Sequence, residues 1–132
     1  MELSQRVLNL VHDYQNRNKR DFSGIDLQGA NLEGANLQKI KLNRSNLTKA
    51  NLEKADLRGA ELKNSNLTGV WALDGNMSQA NLENANFTEA WLTDANLSNS
   101  NLKRANFTGA WLRGTNFSGS NLDEAIFTGA KF

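Results

Sequence analysis

A five-residue period runs from Arg20 to Phe132 without a slip in phase, and it restricts the fold more than any other property of the chain. The centre of each unit is a large apolar residue. The centres begin at Phe22, Leu27 and Leu32 and end at Leu122, Phe127 and Phe132. Of 23 centres, fifteen are Leu and six are Phe; Ala72 and Met77 are the exceptions. Two residues earlier stands a small side chain, Ala in 13 units and Ser in 4. The residue just before the centre is usually Asn, as at Asn31, Asn51, Asn81 and Asn106. Five is neither the 3.6 period of a helix nor the 2 of a strand. A strict repeat turns the chain by a constant angle at every unit, and internal repetition outranks local propensity in deciding a fold.

The residue types say how each unit sits in a narrow tube. The centre fills the interior and must be large. The residue two before it lies where the wall bends inward and must be small. The Asn and the two residues after the centre face outward or form a corner. Two after the centre stands Gly in 9 units, Gly24 and Gly129 among them, and Asn in 3. These residues accept the positive φ of a type II turn. At Lys39, Arg44, Lys49, Lys54, Asp74, Glu89 and Glu124 the same position predicts less regular turns.

Written out, the units read ANLEG, ANLQK, SNLTK, ANLEK and ADLRG. They resemble the A(D/N)LXX motif of the pentapeptide-repeat family over residues 20–132, 113 of the 132. The resemblance implies an all-β solenoid, a right-handed quadrilateral β-helix of four units and 20 residues per coil, nearly six coils in all. Many small cyanobacterial members have no assigned activity, and this chain is most similar to those. Some members mimic B-form DNA and bind type II topoisomerases. That mechanism needs a strongly acidic rod, and the net charge here is +1.

In such a tube, residues twenty apart are vertical neighbours at about 4.8 Å. Trp71, Trp91 and Trp111, all the Trp in the chain, then share one face, after Asn31 and Asn51 and before Lys131. They form either a self-packed ladder that stiffens a wall or a contact site with Arg113, Asp74 and Asp94 at its rim. Another column changes from Leu27, Leu47 and Leu67 to Phe87, Phe107 and Phe127. The Asn columns predict side chains bonded along the ladder and to backbone. At Val70, Ala72, Gly75 and Met77 the pattern reads as large and small positions that exchange volume, or as a functional bulge. Charge is segregated: residues 38–63 carry seven basic and three acidic groups, while residues 64–102 carry four acidic and no basic ones.

Residues 1–19 precede the repeats. Leu3, Val7, Leu10, Val11 and Tyr14 make one apolar stripe, which predicts a short helix over 2–15 that caps the first coil. His12, the only His, reads as a solvated helix residue. There is no Cys, no secretory leader pattern and no run of about 18 apolar residues. The expectations are a cytoplasmic, non-catalytic protein with no catalytic, cofactor or metal residues. Its partner is another protein met at Trp71, Trp91, Trp111 and Arg113, not nucleic acid or membrane. Phe127 and Phe132 in an uncapped last coil predict weak end-to-end dimerisation.

Overall fold

The structure, a computed structural model, describes Val7, Asn9, Leu10, Val11 and residues 21–132. Parallel bridges join residues twenty apart, unbroken from Asp21↔Lys41 to Trp111↔Lys131. One circuit is therefore four units, and the chain winds a four-sided tube. Each unit gives one bridged residue to its wall, because the chain turns again before a strand can lengthen. The walls are ladders of single bridges rather than extended strands.

Three sets of hydrogen bonds hold successive coils, one of them from the corner residue to the coil above, as Gly29 N–H to the Thr48 carbonyl at 2.8 Å. The centre residue donates to the coil above, as Leu27 N–H to the Asn46 carbonyl at 2.8 Å. The residue before the centre donates to the coil below, as Asn46 N–H to the Ile25 carbonyl at 3.0 Å. Corners close on themselves: Ala30 N–H donates to the Leu27 carbonyl at 3.0 Å.

The corners correct one expectation. Lys39, Arg44, Lys49, Lys54, Asp74, Glu89 and Glu124 make the same left-handed turn as the glycines, with φ between 57° and 61°. A side-chain-bearing residue costs about 1–2 kcal/mol in this region. The bonds to the coils above and below over-determine the turn, so the ladder carries that cost and geometry does not relax. These side chains also point outward, where nothing crowds them; all seven residues are exposed.

Inside, the Leu centres from Leu27 to Leu112 are buried to within 2%. Each contributes roughly 1.5–3 kcal/mol by leaving water. The Phe column stacks face to face: Phe87 and Phe107 lie 5.0 Å apart, Phe107 and Phe127 5.1 Å. Phe117 meets Phe107 edge-on at 5.5 Å. Val70, Ala72 and Met77 are all fully buried, in keeping with the exchange of volume read from the sequence. Of the helix expected over 2–15, Val7, Asn9, Leu10 and Val11 are helical, and Leu10 belongs to the same apolar cluster as Phe22 and Leu27. The rest of that helix, with His12, lies outside the described residues.

Candidate interaction face

Bridges place Asn31, Asn51, Trp71, Trp91, Trp111 and Lys131 on one wall in that order. The indoles stack almost parallel: centroids are 5.0 Å apart from Trp71 to Trp91 and 4.9 Å from Trp91 to Trp111, each pair tilted by 6°. The Lys131 ammonium sits 4.3 Å from the Trp111 ring centroid, a cation–π contact. The stack therefore consumes its own ring faces and offers ring edges to solvent. Trp71 is 47% exposed and Trp111 37%.

Trp in place of Asn leaves the backbone path of this wall unchanged but takes an acceptor from it. Elsewhere the Asn or Asp Oδ1 accepts the N–H two residues on, as Asn86 does from Thr88 and Asn96 from Ser98. This turn-closing bond is the main job of the outward Asn. Bonds between coils are fewer and longer, such as Asn101 to Asn81 at 3.5 Å. Trp cannot accept such a bond. Among the described residues, the N–H groups of Leu73, Thr93 and Arg113 have no acceptor.

Corner residues flank the wall at every level, and they are glycines beside Asn31 and Trp111. Lys49 and Lys54 bracket Asn51, Gly69 and Asp74 bracket Trp71, and Glu89 and Asp94 bracket Trp91. Arg113 follows Trp111 and is exposed. Lys49, Lys54, Asp74, Glu89 and Asp94 make no ion pair with any described residue. The ion pairs lie on other walls: Arg58 with Asp56 at 2.7 Å, and Glu83 with Arg104 at 2.7 Å and Lys63 at 3.6 Å. The Arg58 hydrogen bond holds the Asp56 carboxyl below the usual carboxylate range.

The sequence reading thus brought Trp71, Trp91, Trp111 and Arg113 to one face, with Asp74 and Asp94 at its edge. At that edge it missed Glu89, which is the mirror of Asp94 across Trp91. It put Lys39, Arg44, Lys49 and Lys54 at corners within a basic stretch, and the structure sets these four on successive corners that ring the tube at one level. The corner count named each of these residues, and the wall and level they share follow from the 20-residue circuit. Among the described residues no His, Cys, Asp or Glu group is placed to hold a metal, and no helix is long and apolar enough to cross a membrane.

The family profile described as pentapeptide repeats matches residues 21–59, 60–103 and 100–132. No curated protein matches the chain. Among solved structures, a pentapeptide repeat protein, Rfr23, from the cyanobacterium Cyanothece 51142 is 28% identical, with 95% of this chain and 94% of that chain covered and a TM-score of 0.76. The pentapeptide repeat protein alr5209 from Nostoc PCC 7120 is 26% identical over 86% of this chain and 93% of that one, with a TM-score of 0.70. HetL, described as involved in heterocyst differentiation regulation in Nostoc sp. strain PCC 7120, shares the fold at 22% identity. It covers 83% of this chain and 75% of that one, with a TM-score of 0.57.

Proposed function

The chain belongs to the pentapeptide-repeat family, and from that premise we propose that it is a non-catalytic scaffold that binds another protein through the wall bearing Trp71, Trp91, Trp111 and Arg113. We take the coil as right-handed, the hand that parallel crossover connections adopt. The observation that carries the reading is the exposed indole stack. An aromatic surface of this kind is costly in water and is recovered when a partner covers it. The unaccepted N–H groups of Leu73, Thr93 and Arg113 add directional donors along one edge.

The test is affinity capture from a lysate of the source organism, with the wild type beside a Trp71→Ala, Trp91→Ala double variant. The variant keeps its circular dichroism and loses the captured protein. Equal capture by both removes the reading.

DNA mimicry is the alternative, and the charge pattern opposes it. A mimic of the duplex needs anions along its length, whereas Lys39, Arg44, Lys49 and Lys54 put cations on all four corners of one circuit. A gyrase supercoiling assay decides: inhibition at micromolar protein would restore this alternative.

A further inference from the structure

Resting on the reading of the Trp wall as a contact face, we propose that one occupant of that face is a second copy of this chain, packed wall to wall with the two tubes antiparallel. The wall is self-complementary about the level of Trp71. A two-fold axis lying in the interface and perpendicular to the tube leaves each corner column facing itself. It exchanges the coil below Trp71 with the coil above. Lys49 of one copy then faces Glu89 of the other, and Lys54 faces Asp94. Two levels out, Arg113 faces Glu33. All six residues are exposed.

The same operation matches the backbone donors. Glu53 of one copy falls opposite Thr93 of the other, whose N–H has no acceptor among the described residues. Glu33 falls opposite Arg113, whose N–H is in the same state. On the wall itself Trp71 meets Trp71, Trp91 meets Asn51 and Trp111 meets Asn31. Leu73 meets Leu73 beside the axis. The one mismatch is Asp74 against its own copy.

Size sets the strength. Five levels at about 4.8 Å and three residues at about 3.3 Å give a face on the order of 20 Å by 10 Å. That is well below the roughly 800 Å² per partner of a standard interface. The dimer is weak, with a dissociation constant on the order of 100 μM, and its exposed charge pairs make it sensitive to salt.

Sedimentation equilibrium of the whole chain at low ionic strength, carried to about ten times that constant, tests the proposal. Wild type forms dimers. Lys49→Glu with Lys54→Glu, and separately Glu89→Lys with Asp94→Lys, each weaken self-association about tenfold or more. The folds survive, because Glu89 and the lysines already occupy the same turn in the wild type. Mixing the two variants restores dimers, since introduced carboxylates face introduced ammonium groups while native pairs face each other. Asp74→Asn tightens the dimer severalfold. A wild type that stays monomeric overturns the proposal, as does a mixture that fails to recover. If that monomer still captures a protein through the indoles, the contact-face reading stands and only the self-pairing falls. A Trp71→Ala, Trp91→Ala variant that keeps both pairing and capture removes both.

Discussion

Ser45→Ala is expected to stabilise the protein. Ser45 is 2% exposed, and its hydroxyl has no hydrogen-bond partner among the described residues. The other buried serines differ. Ser65 Oγ donates to the Leu62 carbonyl at 2.6 Å, and Ser100 Oγ to the Met77 carbonyl at 2.8 Å. A buried hydroxyl without a partner costs about 1–3 kcal/mol. Alanine fits the position, since 13 of the 23 units have it there. A net gain of about 1 kcal/mol raises the melting temperature by roughly 3–5 °C for a chain of this size. The assay is thermal denaturation by circular dichroism at neutral pH, with Ser65→Ala and Ser100→Ala as controls. Each control breaks a formed bond and should leave the melting temperature unchanged or lower. If Ser45→Ala melts at or below the wild-type temperature, the hydroxyl is bonded in solution and the reasoning fails. The same follows if all three variants behave alike.

Phe107→Ala removes a fully buried ring from the middle of the Phe column and should cost about 3–5 kcal/mol in denaturant unfolding. A cost below 1 kcal/mol would mean the column repacks. Gln79→Gly relieves a left-handed corner at φ 58° and should raise stability by about 1 kcal/mol. Asp56 is held below its ordinary pKa chiefly by the Arg58 hydrogen bond. Its contribution is therefore complete above the unfolded carboxylate value of about 3.9 and is lost as pH falls through the lower native value. Arg58→Ala should return the Asp56 titration, followed by NMR, toward that ordinary value.

Periodicity made the coil legible. Once the phase was read, the 20-residue circuit, the buried Leu and Phe columns and the shared wall of Trp71, Trp91 and Trp111 followed from counting. What counting cannot supply is the strength of the surrounding ladder. Lys39 and Arg44 read as poor corner residues because propensity treats each turn alone, whereas bonds to two neighbouring coils fix its shape. The Asn columns bond to backbone as expected, and the ladder part of that expectation is the minor one. Identical side chains at one spacing suggest a ladder, yet a short amide reaches its own turn more readily than the next coil, as at Asn86. Ser45 and Ser65 stand in one column with the same turn, each N–H reaching the carbonyl of Leu42 or Leu62 at 3.2 Å, and only the direction of the hydroxyl separates them. The pairing of Lys49 and Lys54 with Glu89 and Asp94 was present in the sequence. It emerges only when the wall is treated as a surface with symmetry.

Every indole in the molecule lies within one column spanning Trp71 to Trp111. Ultraviolet transitions in rings so close and so nearly parallel couple, and the near-ultraviolet dichroism of the folded state carries that exciton signature. Tryptophan emission consequently watches only the middle and later coils, while far-ultraviolet signals average over all of them. In a tube whose coils touch only their neighbours, a gap between the two melting curves measures how far one end can fray before the rest follows.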